Sequence, residues 1–218
     1  RVRLMPNREV LNFCANNYLG LASDPRVVKA AQEGLERWGY GAASVRFICG
    51  TLEIHRELET RLSAFLGTED TILYSSCFDA NGGVFEPLLD GECALITDAL
   101  NHASIIDGCR LSRAKILVFR HKDMAHAEEQ LASVKDQPGK KLLITDGVFS
   151  MDGDVAPLDK LYEVCERYGV ITMVDDAHGE GVIGRGGRGI VDHFGLHGKF
   201  DLEIGTLSKA FGVMGGVI

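Results

Sequence analysis

The chain has no apolar run near the roughly 18–20 residues that a bilayer-spanning helix needs. It also has no basic tract. Its net charge is −8 over 218 residues, which argues against nucleic acid and anionic membrane surfaces as partners. The cysteines, Cys14, Cys49, Cys77, Cys93, Cys109 and Cys165, form no CxxC pair, so zinc-finger and disulfide-framework spacings are missing. Reduced thiols in a cytosolic-type compartment are therefore expected, in the cytoplasm or, for a eukaryote, the mitochondrial matrix. Neither HExxH nor a Cys/His cluster supports a metal site, and no GxSxG elbow marks a hydrolase. No signal peptide opens the chain. It starts at Arg1 rather than a methionine and stops in the apolar run 215–218, so it reads as a fragment.

What is present is a regular alternation. Residues 24–37 read as a helix, with Asp24 as cap, Pro25 at the first helical position, and Val27, Val28, Ala31 and Leu35 on one face. A glycine-rich connection spans 39–50, and a second helix is expected over 53–66. Short apolar runs follow at 71–75, 93–97, 115–119, 142–145, 170–174 and 202–205. Helical compositions lie between most of them, near 80–89, 102–111, 124–133 and 157–168. This alternation predicts an α/β fold with a mostly parallel sheet flanked by helices. Residues 1–50 form an N-terminal segment and 51–218 one large domain. Gly184–Gly189 matches GxGxxG, but Val182-Ile183 is too short a preceding strand and no βαβ unit follows.

Polar residues gather where the apolar runs end. In open α/β sheets ligands bind beyond the carboxyl ends of the strands, so these residues are expected to share one crevice. Asp175 and His178 follow one run, and Thr206 and Lys209 follow another. A carboxylate, an imidazole, a hydroxyl and an amine in this arrangement are what pyridoxal 5′-phosphate (PLP) requires. The amine forms a Schiff base, the carboxylate keeps the pyridine nitrogen protonated, and the hydroxyl helps to bind the phosphate. His102 follows a third run, where its ring can stack on a pyridine. Cys77 and Phe78 open a helix, whose N–H groups suit a phosphate. Singly, each has an ordinary structural reading: Lys209 as a surface lysine, Asp175 as a cap or ion-pair member, His178 as a buried histidine, His102 as a helix-start residue paired with Asn101.

These residues bring a resemblance into view. Asn16-Asn-Tyr-Leu-Gly20, Ala43-Ser-Val-Arg-Phe-Ile-Cys-Gly-Thr51, Ser75-Ser-Cys-Phe-Asp-Ala-Asn81, Asp98-Ala-Leu-Asn-His-Ala-Ser104, Asp146-Gly-Val-Phe-Ser-Met-Asp-Gly153, Val174-Asp-Asp-Ala-His178 and Gly205-Thr-Leu-Ser-Lys209 span practically the whole chain. Together they resemble the α-oxoamine synthases, PLP enzymes of fold type I that condense an amino acid with an acyl-CoA. The resemblance implies the large domain of that fold, incomplete at its C-terminus and lacking the small C-terminal domain.

It further implies Lys209 as the Schiff-base lysine and Asp175 as the pyridinium partner. His178 would contact the phenolic oxygen, and His102 would stack on the ring. Cys77, Phe78 and Thr206 would bind the phosphate. Ser150 would lie close to the cofactor, and Asn17 near the substrate carboxylate. The stretches 44–51 and 76–81 look most like the glycine C-acetyltransferase branch (2-amino-3-ketobutyrate CoA ligases), which joins glycine to acetyl-CoA. Residues 176–181 and 206–215 are nearer the broader synthase pattern, including 8-amino-7-oxononanoate synthesis. The resemblance also implies a homodimer with its active site at the subunit boundary. A partner-binding subunit that has kept the fold without catalysis is the alternative outside enzymology.

Overall fold

The structure, a computed structural model, describes residues 2–4 and 8–218. Strands β1 (Val2–Leu4) and β2 (Arg8–Val10) form a small antiparallel pair of their own. Helices α1 (Pro25–Trp38) and α2 (Glu53–Leu66) follow. Asp24 caps α1 as expected, its carboxylate accepting the Arg26 N–H at 2.8 Å. The apolar face expected of α1 is left uncovered by the described residues: no residue of α1 is buried, and Leu35 is 50% exposed.

From there the alternation becomes architecture. The elements are β3 (Leu73–Tyr74), α3 (Cys77–Leu88), β4 (Ala94–Asp98), α4 (Ala103–Leu111), β5 (Lys115–Phe119), α5 (Met124–Ser133), β6 (Lys141–Asp146), α6 (Leu158–Tyr168), β7 (Ile171–Asp175), α7 (Ile190–His193), β8 (Leu202–Thr206) and β9 (Gly216–Val217). One seven-stranded sheet has the order β3-β9-β8-β7-β6-β4-β5. Strands β5, β4, β6, β7 and β8 run parallel, and β9 is antiparallel to both β8 and β3. Both faces are covered, as the unbroken apolar strands require. Leu95, Leu142, Ile144 and Met173 pack under α3 and α4, while Ala94, Ile96 and Leu143 pack under α5 and α6. Period-two alternation thus sends neighbouring residues of one strand to opposite layers.

Strand β9 was not expected, because two residues within the run 215–218 are too few to show a period. Gly216 also brings it directly beneath the start of α3. A Cβ there would lie 2.3 Å from the Ser76 carbonyl carbon. Gly108 serves the same purpose between helices: a Cβ would sit 2.3 Å from the Asn81 carbonyl oxygen, so α3 and α4 meet backbone to backbone. The glycine-rich connection winds through a π-helical turn at Arg46–Gly50. Arg46 and Arg56 grip the two oxygens of buried Glu59 at 2.8 and 2.7 Å, which ties that turn to α2. Residues 184–189 form a loop around a 3-10 turn, not a strand-to-helix phosphate loop. Among the described residues no helix is long and apolar enough to cross a membrane.

Candidate active site

Strands β4, β6, β7 and β8 end on Asp98, Asp146, Asp175 and Thr206. Connections leave β4 and β6 in opposite directions along the sheet, and the crevice opens at that reversal. Asn101 bridges it. Its side-chain amide donates to the Ile144 carbonyl at 3.0 Å, and its oxygen accepts the Asp146 N–H at 2.8 Å. A cavity of about 210 Å³ lies above these strand ends. Cys77, Phe78, His102, Ser150, Asp175, His178, Thr206 and Lys209 all line it.

Asp175 is buried at the floor of this cavity. Its Oδ2 accepts the Asn81 amide at 2.7 Å, and its Oδ1 accepts the Ala177 N–H at 3.0 Å. The Cys77 thiol lies 3.5 Å from Oδ2. These partners are all neutral, although a buried carboxylate is strongly stabilised by a cation facing it. Beside it, Asp146 accepts the His102 N–H at 2.9 Å. Burial, reinforced by the charge of Asp175, pushes Asp146 up to about 8. Behind this wall Asp176 and Glu180 are buried too, each with one carboxylate oxygen lacking a partner. Burial drives both well above the ordinary carboxylate range.

Lys209 leaves the turn after β8 and points its Nζ at His178 Nε2, 2.9 Å away. Burial lowers its affinity for a proton, while Asp175, Cys77 and Asp146 pull the other way. His178 is pushed down to about 4 by burial and by the neighbouring Lys209 charge, so its ring is neutral near pH 7. The second ring nitrogen, Nδ1, meets the Tyr18 hydroxyl at 2.6 Å. His102 caps α4, its Nδ1 held by the Ser104 hydroxyl at 2.7 Å.

Opposite lies the start of α3. The Ser76 hydroxyl accepts the Asp79 N–H at 3.0 Å, while the first-turn N–H groups of Cys77 and Phe78 have no intrahelical acceptor. Thr206 is buried beside them, its hydroxyl 2.8 Å from that of Ser208. Ser150 sits on the tip of a turn closed by the Phe149–Asp154 backbone bond.

This donor set fits PLP: an amine of weakened basicity, a buried carboxylate without a charged partner, and helix N–H groups for a phosphate. Among the described residues no group of three or more His, Cys, Asp or Glu could hold a metal ion. Asn17 alone of the expected residues is not brought to the cavity. Its side-chain oxygen instead accepts the Ala22 N–H at 3.1 Å. Sequence reasoning overlooked Asn81 and Tyr18 and gave no role to Asp146. Asn81 and Asp146 lie inside motifs quoted above, but nothing local reveals an Asn that reaches a carboxylate 94 residues away.

A family model described as aminotransferase class I and II matches residues 8–218. An 8-amino-7-oxononanoate synthase of Thermosipho melanesiensis is 55% identical over 215 residues, which cover 99% of this chain and 55% of that protein. A 2-amino-3-ketobutyrate coenzyme A ligase of Escherichia coli K12 is 53% identical over 204 residues, covering 93% of this chain and 51% of the relative. Among solved structures, a serine palmitoyltransferase of S. paucimobilis with a bound PLP–myriocin aldimine aligns with a TM-score of 0.90 at 37% identity. That alignment covers 93% of this chain and 51% of the other. The chain therefore spans about half the length of the curated relatives it matches.

Proposed function

The chain belongs to the aminotransferase class I and II family and resembles its α-oxoamine synthases, and on that premise we propose that the protein is a PLP-dependent C-acyltransferase. The reaction joins an acyl group from an acyl-CoA to the α-carbon of a small amino acid. Glycine and acetyl-CoA are the proposed pair, giving 2-amino-3-ketobutyrate and free CoA. The observation that carries the reading is the single cavity in which Lys209, Asp175 and His178 face the open N–H groups of α3.

PLP bound there supplies an electron sink for a carbanion at the amino acid α-carbon. The remaining work falls to side chains. Lys209 Nζ would hold the cofactor covalently and would serve as the base for the α-proton, which suits an amine whose basicity burial has weakened. Asp175 Oδ2, oriented by Asn81, keeps a proton on the pyridine nitrogen. His178 turns Nε2 toward Lys209, where it would also meet the phenolic oxygen of the cofactor. His102 would pack over the ring, with its backbone anchored on Asp146. Cys77 and Phe78 N–H and the Thr206 hydroxyl bind the phosphate, and Ser150 closes the rim. Asn17 is the proposed contact for the substrate carboxylate. It reaches that carboxylate only if its segment turns from the bond to Ala22. A second copy of the chain is the proposed partner, and sedimentation of the full-length protein at the mass of one chain would overturn it.

A second reading has its own support. Relatives that carry the name 8-amino-7-oxononanoate synthase are 55 and 56% identical to this chain, as similar as the ligase at 53%. Turnover of the full-length protein decides between them. Release of CoA from glycine plus acetyl-CoA, with none from alanine plus pimeloyl-CoA, supports the proposal; the opposite pattern establishes the second reading. Release from neither pair overturns both.

A further inference from the structure

The contact between Tyr18 and His178 joins parts of the chain 160 residues apart, and none of the roles proposed above uses it. Four groups stand in a line. Lys209 Nζ lies 2.9 Å from His178 Nε2, His178 Nδ1 lies 2.6 Å from Tyr18 Oη, and Tyr18 Oη lies 3.3 Å from Asn16 Oδ1. An ammonium has three donors and no acceptor, so a protonated Lys209 requires Nε2 to accept. A neutral imidazole then carries its proton on Nδ1 and donates it to Tyr18 Oη, which in turn donates to Asn16 Oδ1. Every bond in the line points the same way.

A neutral lysine amine lifts the requirement, because it keeps two N–H donors and gains a lone pair that can accept. It can also accept from Nε2–H, and Nδ1 must then accept from the Tyr18 hydroxyl. A phenol serves both states because it donates and accepts through one oxygen. Phenylalanine serves neither.

We propose that Tyr18 is a positioning residue for Lys209: it holds His178 in the Nδ1–H tautomer that the protonated lysine demands, and it can still pair with the Nε2–H tautomer that the neutral lysine also admits. The proposal rests on the reading of Lys209 as the cofactor lysine. The switch releases one proton net. Lys209 Nζ gives a proton to Nε2, Nδ1 gives one to Tyr18 Oη, and the Tyr18 hydroxyl proton passes to water, so one proton leaves and no group is left charged. Three further features support it. Burial keeps the Tyr18 hydroxyl protonated by raising its affinity for the proton. His178 is pushed down to about 4, so the ring has a single proton to place. The other groups acting on this ring are Asp175, which draws a proton toward it, and His102, which opposes one.

The test is Tyr18→Phe in the full-length protein, a change that keeps the ring and removes one oxygen. The first readout is the imidazole 15N spectrum of His178 without cofactor. At a pH where Lys209 is protonated, the wild type should show the proton on Nδ1. The variant should shift toward the Nε2–H form, because Nδ1–H has lost its acceptor. The second readout is the pH dependence of PLP uptake, which needs the neutral amine. Without an acceptor at Nε2 the ammonium is less stable, so the midpoint should fall by about one pH unit, on the order of one hydrogen bond. Unchanged ring signals together with an unchanged midpoint overturn the positioning role, even if PLP still binds. A wild-type protein that takes up no PLP overturns the proposed function instead, while the ring signals still decide the role of Tyr18.

Discussion

Asp146 shows what one buried side chain does to the behaviour of the protein. It sits at the end of β6, beside Asp175, and keeps its proton to about pH 8. An aspartate in an unfolded chain loses its proton near 3.9. Between these values the folded state binds the extra proton, so stability falls as pH rises. The contribution is complete below about pH 4 and lost once the pH passes about 8. Glu203, pushed up to about 7 by burial, adds a fall of the same sign. Urea unfolding midpoints of the cofactor-free full-length protein should therefore drop between pH 5 and pH 8. The drop should be shallower in Asp146→Asn, and an equal drop in both proteins would contradict the shifted Asp146. Residues at strand ends were legible because the sequence marks where an apolar run stops. Asp175, Thr206 and Lys209 were located by that rule. Asn81 and Tyr18 reach the site from mid-helix and from a remote segment, which no local pattern marks.

At the scale of elements, the meeting of α3 with α4 deserves a test, because it sets the position of Asn81. Gly108 lets the α4 backbone lie against the Asn81 carbonyl. Asn81 in turn donates to both Ser104 Oγ, at 3.1 Å, and Asp175. A Gly108→Ala methyl has nowhere to go, so the helices must part at a cost of about 1–3 kcal/mol. The full-length variant should unfold at lower urea and hold PLP more weakly, since Asn81 moves away from Asp175. A variant with wild-type stability and PLP affinity would show that this contact positions nothing. Most of the elements could be read in advance, as apolar runs and periodicity located the strands from β3 to β8 and the helices from α1 to α6 within a few residues. The exceptions were short. Strands β1, β2 and β9 and helix α7 contain two to four residues each, too few to show a period.

The whole molecule leaves an apolar surface along its first fifty residues. Phe13 and Phe47 are each 88% exposed, Tyr40 is 97% exposed and Ile48 72%, and α1 has no buried residue. Apolar exposure on this scale marks a surface that packs against other protein, in keeping with the proposed second copy. Sequence periodicity indicated that α1 is amphipathic, but it could not say that the described residues leave that face uncovered. The sheet, by contrast, is layered by its own helices except at edge strand β5, where Ile116 and Val118 are 39% and 51% exposed. At its carboxyl ends stands the group on which the whole account depends, the Lys209 amine. The most direct measurement is the absorbance spectrum of the full-length protein after PLP is added, compared with Lys209→Ala. The account predicts a yellow Schiff-base band in the wild type, fixed irreversibly by borohydride and absent from the variant. A band that survives in the variant, or no band in a folded wild-type protein, would contradict it.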